Sequence, residues 1–201
     1  MIAHGIDLVL DVGANDGSYG REIRDAGYKG QIISFEPNLT VYGRLKERIA
    51  SDPNWTAHPF ALGESNGQSL LSIAENDLMS SFKSVTQFGR HTGAKQLSHQ
   101  VAEIVRLDTF IGKQEAMSKN IFLKIDTQGY EKEVILGASE LLRLIRVVQA
   151  EIALIHTYQN ESDWLEMCLW MRQMGFEVAS AICNSRIGAQ VREFDFIFVR
   201  Q

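Results

Sequence analysis

The chain has 201 residues, enough for one domain with elaborations; two domains would leave each core too small. With 45% hydrophobic and 22% charged residues it is neither a disordered chain, nor a collagen-like repeat, nor a coiled-coil rod. A net charge of −5 repels nucleic-acid phosphates and anionic lipid, and no window approaches the about 18 uncharged apolar residues of a membrane span, so neither partner is expected.

Leu8-Val9-Leu10 and Val12 form a short strand, ended by Gly13-Ala14-Asn15-Asp16-Gly17, and Ser18 to Ala26 reads as a helix stopped at Gly27. Ile32 to Phe35 is the second strand. Asn38 then caps a helix whose apolar face is Leu39, Tyr42, Leu45 and Ile49. Ala57 to Leu62 is read as strand three. Between 64 and 119 the pattern is less regular: Ser69 to Ala74 and Val101 to Leu107 are strands, and the polar stretch between them is a mobile loop. Ile121 to Asp126 is a strand, followed by a helical segment from Tyr130 to Leu144, and Val147 to Leu154 is another strand. Glu161 to Met174 forms a helix capped by Asn160 or Ser162, with Trp164, Met167, Cys168 and Met171 as its core-facing stripe. Phe176 to Ile182 and Glu193 to Arg200 close the chain with no room for a helix between them, which implies an antiparallel pair.

Alternating strands and helices give a parallel sheet covered on both faces, with ligands bound beyond the carboxyl ends of the strands. Gly13 and Gly17 permit a tight turn at that edge, and the free amides at the following helix start favour an anionic group such as a carboxylate. Glu36 ends the second strand 23 residues after Gly13, near the roughly 20-residue spacing at which an acid meets ribose hydroxyls. Asp126 ends the fourth long strand in the analogous place. Cys168 and Cys183 make neither a C-x-x-C pair nor a disulfide framework, so buried thiols and a reducing, cytoplasmic setting are expected. Met1 to Gly5 lacks the basic and apolar run of a secretory leader.

DVGANDGSYG at 11 to 20, SFEPN at 34 to 38, FALGE at 60 to 64, SSF at 80 to 82, VRLDTF at 105 to 110 and LKIDTQGYEKEVILGA at 123 to 138 together resemble the FkbM family of S-adenosylmethionine-dependent methyltransferases. The resemblance covers roughly Asp7 to Ala153. It implies a single class I methyltransferase domain over 1 to 201: a Rossmann-like three-layer α/β sandwich with a mostly parallel seven-stranded sheet, its last strand antiparallel, and a lid or insertion at about 64 to 119. It further implies S-adenosyl-L-methionine as cofactor. Asp11, Gly13, Asn15 and Gly17 would shape the methionine end, Ser18 and Tyr19 would line it, Glu36 would hold the ribose, and Ala61 and Leu62 would flank the adenine. Ser80 and Ser81 match a serine pair of the family that either reaches the cofactor or fastens the loop. Asp126 matches the acid near the transferring methyl.

The implied reaction is O-methylation of a hydroxyl on a sugar, glycan or polyketide-like metabolite. Such an enzyme must align that oxygen with the methyl carbon and remove its proton. Asp126 and His156, at or just past neighbouring strand ends, are the candidate bases. Glu151 with Lys124 is read as a buried pair across adjacent strands. A divalent-ion reading of Asp126, Glu151 and His156 ranks lower, and no metal is assigned. Few residues precede Asp7 to cover the acceptor, so the 75 to 100 loop, a second subunit in a homodimer, or an open site for a large acceptor completes it. The competing readings are a Rossmann-type nicotinamide-dependent oxidoreductase, against which the loop lacks G-x-G-x-x-G, and an inactive S-adenosylmethionine-binding module.

Overall fold

The computed structural model describes residues 5–91, 94–112 and 118–201. The leader expectation at Met1 to His4, and the parts of the expected insertion at 92–93 and 113–117, lie outside these residues. Strands β1 (Leu8–Val12), β2 (Gln31–Phe35), β3 (Trp55–His58), β7 (Ile121–Ile125) and β8 (Ile145–Ala153) run parallel. The hairpin β9 (Phe176–Ile187) and β10 (Gln190–Arg200) completes a seven-stranded sheet in the order β3-β2-β1-β7-β8-β10-β9, with β10 antiparallel to both neighbours. The expected mostly parallel sheet with an antiparallel last strand is present.

Side-chain alternation along the central strands divides the core in two. Leu8, Leu10 and Val12 join Leu123, Ile125, Val134 and Met171 in one cluster, under helices α5 (Glu131–Leu136) and α6 (Trp164–Gln173). Val9 and Phe122 point the other way, against Ile23, Leu45 and Ile49 of α1 (Ser18–Asp25) and α2 (Leu39–Ile49). Every residue of β1 and β7 is buried, as a strand covered on both faces requires. The same alternation puts Asp11 and Lys124, register partners on β1 and β7, on the α1 and α2 side.

The region from 61 to 105 forms a second sheet, β4 (Ala61–Leu62), β5 (Gly67–Ala74) and β6 (Gln96–Val105), ordered β4-β6-β5. Between β5 and β6 the expected loop carries a 3₁₀ turn at Asp77–Met79 and α3 (Gln87–His91); α4 (Leu107–Phe110) follows β6.

Several local expectations are corrected. Ala57 to Leu62 is not one strand: Pro59, with no N–H for a ladder, separates β3 in the large sheet from β4 in the small one. The segment 130 to 144 divides into α5 and a 3₁₀ turn at Leu142–Leu144. On α2 the buried residues are Val41, Leu45 and Ile49, with Leu39 exposed in the first turn. Asn38 does cap α2, accepting from the Thr40 and Val41 amides. The cap of α6 is Asp163, which accepts from Leu165 and Glu166, and only Met167 and Met171 of the expected stripe are fully buried. Trp164 is exposed, and both cysteines are free and only partly buried. The closing strands run longer than expected, meeting at a two-residue turn over 188–189.

Candidate functional site

A cleft of about 610 Å³, including space open to solvent, lies beyond the carboxyl ends of β1, β2, β4 and β7. Gly13 shapes its floor. The backbone there has φ 73°, and an added Cβ would overlap the Asp126 carbonyl oxygen, so the two strand ends meet only because no side chain intervenes. Gly17, at φ 84°, serves the scaffold: a Cβ would come 2.7 Å from Cδ1 of Leu45 on α2.

Glu36 stands at the mouth of β2, 7% exposed. Its Oε2 accepts from the Asn15 amide at 2.9 Å and its Oε1 from the Asn38 amide at 2.8 Å, tying the glycine loop to the start of α2. Burial pushes its carboxyl up to about 7, against the pull of those two amides. Each oxygen retains acceptor capacity toward the cleft. Phe35 forms a wall there, backed by T-shaped packing on Phe110 at 5.2 Å.

Asp126 lines the opposite end. Lys124 Nζ lies 3.5 Å from its Oδ2 and 3.3 Å from Asp11 Oδ1, and donates to the Gly13 carbonyl at 3.2 Å. Lys124 is 6% exposed, and its two carboxylate neighbours outweigh burial, holding its ammonium well above the usual lysine range. The loop after Asp126 is fixed by Glu131, whose Oε1 accepts from the Thr127 amide, the Thr127 hydroxyl and the Gly129 amide. Buried in that role, Glu131 is also pushed up to about 7.

Of the residues singled out from sequence, Gly13, Asn15, Glu36, Ala61, Leu62 and Asp126 come together around this cleft, and Ser80 joins them. The others stand elsewhere. Asp11 is fully buried behind the loop, accepting from Ser34 Oγ at 3.0 Å and paired with Lys124. Ser18 is exposed and donates to Asp16, which pairs with Arg48. Tyr19 lies behind Lys124, 5.3 Å from ring centre to Nζ, and donates to Gln149. Ser81 is buried and donates to the Gln128 carbonyl at 2.7 Å, the loop-fastening alternative. His156 lines neither the glycine-loop cleft nor the neighbouring one at Gln128, and its backbone carbonyl accepts from Thr86 Oγ1. The expected pair of Glu151 with Lys124 does not form, because Gln149 occupies the register position beside Lys124. Among the described residues, no group of three or more His, Cys, Asp or Glu is arranged to hold a metal ion.

Sequence reasoning missed Leu71, Leu78 and Phe82, which the small sheet and its following turn bring over the cleft, and Tyr130, whose ring packs on Phe82 at 5.2 Å. It also missed Gln128 as a site residue, although it lies in the quoted block at 123 to 138 two places after Asp126. Asp77 lines the cleft too, paired with Arg44. Glu36, Asp77 and Asp126 thus put three carboxylates on the lining, with no Lys or Arg among the lining residues. Three carboxylates beside an apolar slot suit a cationic nucleoside.

Residues 11–178 match the family model described as the methyltransferase FkbM domain. The chain is 27% identical over 146 residues to hexuronic acid methyltransferase AglP of Haloferax volcanii, spanning 73% of this chain and 56% of that protein. It is 26% identical over 167 residues to 2-O-methyltransferase NoeI of Sinorhizobium fredii, spanning 77% and 66%. The chain therefore spans between about half and two thirds of these relatives' lengths. In fold it is similar to the crystal structure of a methyltransferase FkbM from Methylobacillus flagellatus, with TM-score 0.60 and 13% identity over 96% of this chain and 44% of that one. It is also similar to magnesium protoporphyrin IX methyltransferase from Synechocystis with bound S-adenosylmethionine, with TM-score 0.53 and 16% identity over 98% and 71%.

Proposed function

The chain belongs to the FkbM methyltransferase domain family, and on that premise we propose that it is an S-adenosylmethionine-dependent O-methyltransferase acting on a hydroxyl of a sugar or glycan. The observation that carries the cofactor reading is the lining of the glycine-loop cleft of about 610 Å³: three carboxylates, an apolar slot and no Lys or Arg. That lining fits a sulfonium nucleoside, whose positive charge the carboxylates offset, and it gives a pyrophosphate no Lys or Arg partner. The sugar acceptor rests on the two curated relatives.

In this reading Glu36 accepts from the ribose hydroxyls while its bonds to the Asn15 and Asn38 amides hold the glycine loop in shape. Ala61, Leu62 and Leu71 bury the base and exclude water. Asp126, steadied by Lys124, marks the end where the acceptor oxygen is aligned. Bound there, S-adenosylmethionine supplies an electrophilic methyl group. Asp11 and Tyr19 act from behind the loop, keeping Lys124 in place. The segment from 61 to 105 covers the cleft as part of one domain, with Leu71, Leu78 and Phe82 as its contribution. No helix among the described residues is long and apolar enough to cross a membrane; with two free cysteines, a cytoplasmic enzyme working on a small or glycan acceptor is the coherent setting.

Calorimetry with S-adenosylmethionine, S-adenosylhomocysteine and NAD tests the cofactor. The two adenosyl compounds should bind and NAD should not; binding of NAD alone reverses the reading. Labelled methyl transfer to a panel of glycosides, including glucose, glucuronate and glucosamine derivatives, then tests the acceptor class.

A further inference from the structure

Gln128 stands between two clefts. It lines the glycine-loop cleft beside Asp126, and also a second, narrower one of about 360 Å³, including space open to solvent, whose other lining residues include Glu131, Glu151, Glu161 and Glu193. Its backbone sits at φ 55°, a left-handed conformation that disfavours a side chain, and its surroundings hold it there. Buried Ser81 donates to its carbonyl, and the hydroxyl of buried Tyr158 lies 3.2 Å from its Oε1. Its Nε2 donates to Asp126 Oδ1 at 3.0 Å and to Glu151 Oε2 at 2.7 Å. Two carboxylates can face only the amide's nitrogen, so the side chain has one workable orientation, with one hydrogen for each acid.

The two acids so joined are unlike. Asp126 has Lys124 beside it; Glu151 has no cation within ion-pair distance among the described residues. Glu151 on β8 is faced by Asp126 at the end of β7, Glu131 on α5, and Glu193 and Asp195 on β10, while Asn184 on β9 donates to its Oε1. Lys124 contributes to its surroundings from greater range. Burial and the neighbouring acids push the Glu151 carboxyl well above its usual range, so its carboxylate, once formed, is a stronger base than an ordinary glutamate.

We propose that Glu151 takes the proton from the acceptor hydroxyl, presented from the second cleft, and that Gln128 is the positioning residue that holds Glu151 against the methyl-transfer end marked by Asp126. The proposal rests on reading the glycine-loop cleft as the S-adenosylmethionine site. In the step, the acceptor O–H bond breaks and its proton passes to a Glu151 oxygen. The electron pair left on the acceptor oxygen forms the bond to the methyl carbon, and the carbon–sulfur bond breaks with its pair remaining on sulfur. The proton then leaves Glu151 for solvent.

Gln128→Gly removes the amide in a residue that adopts φ 55° without strain, and Glu151→Gln keeps shape while abolishing the base. With the fastest glycoside of the panel, wild-type kcat should rise with pH as Glu151 ionises. Glu151→Gln should lower kcat by about 100-fold and remove that rise. Gln128→Gly should lower kcat about tenfold and move the rise to higher pH, since the donated N–H favoured the charged form. Affinity for S-adenosylhomocysteine should change by less than about threefold in Glu151→Gln, because Glu151 does not line that cleft. A second readout needs no acceptor: carbon NMR of protein labelled at glutamate carboxyls, with the Glu151 signal identified by its loss in Glu151→Gln. Its midpoint should move up in Gln128→Gly, and in Gln128→Asn should the glycine variant not fold. Wild-type kcat and pH profile in either variant, or an unmoved Glu151 midpoint, overturns the proposal. Failure of the wild type to bind S-adenosylhomocysteine overturns instead the reading of the glycine-loop cleft, and the NMR titration still decides whether Gln128 governs Glu151.

Discussion

Lowering the pH from 8 to 6 should weaken S-adenosylhomocysteine binding about tenfold, and Glu36 is the cause. Its carboxyl is pushed up to about 7 by burial, so roughly nine in ten are ionised at pH 8 and one in ten at pH 6. Ribose hydroxyls are donors, and a charged carboxylate offers them acceptors on both oxygens, whereas the protonated acid must itself place a hydrogen. Binding from the protonated state therefore carries the cost of ionising it, close to 1.4 kcal/mol per pH unit below the midpoint. Glu36→Gln should bind about 10- to 150-fold more weakly than wild type at pH 8. One of the Asn15 and Asn38 amides then faces an NH₂ group, and a charged acceptor worth about 1.5–3 kcal/mol is lost. The variant should also show no pH slope. Isothermal titration calorimetry at pH 6, 7 and 8 and constant ionic strength measures both effects. Equal wild-type affinity at pH 6 and 8, or a slope that persists in Glu36→Gln, would refute the reasoning.

Three further outcomes follow from the same geometry. Gly13→Ala forces a side chain into the left-handed region and against the Asp126 carbonyl; urea unfolding should show a loss of about 3 kcal/mol or more, and a loss under 1 kcal/mol would mean that the β1 and β7 ends are not in contact. Lys124→Met leaves Asp11 buried and unpaired, at a cost of about 3–5 kcal/mol, and adding Asp11→Asn should recover more than half of it; no recovery would sink the pairing. Glu36, Glu131 and Glu161 all have carboxyls raised to about 7 from 4.5, so the folded chain binds more protons than the unfolded one between those values. Their contribution to stability is complete below about pH 4.5 and is lost as pH rises through 7. Melting temperature should accordingly fall between pH 5.5 and 8, and a flat or rising profile would contradict those burials.

Much of the scaffold was legible without coordinates. The β1 strand, its glycine loop, Asn38 as a cap and the acids at the ends of β2 and β7 depend on neighbours within a few residues, where turn chemistry and periodicity act directly. Those local rules also put Glu36 and Asp126 on one rim, because parallel strands share a carboxyl edge. The same rules failed for α6, where Asn160 or Ser162 was expected as cap and Asp163 serves, its Oδ1 accepting from the Leu165 and Glu166 amides.

The polar interior was decided by tertiary contact. Strand alternation sends Asp11 away from the cleft toward Lys124, so a motif acid that reads as a ligand-binding residue is a buried counter-ion. Phe82, Leu71 and Leu78 reach the cleft only because a second sheet folds over it, an arrangement with no local period to betray it. Gln128 gains its significance from Ser81, Tyr158 and Glu151, which lie 23 to 47 residues away along the chain. Sequence by itself determined where most of the strands and their carboxyl ends lie along the chain, since backbone preference and hydrophobic period are short-range properties. Which side chains face each other across the gap was left to packing, which alone joins distant segments and sets the surroundings of each charge.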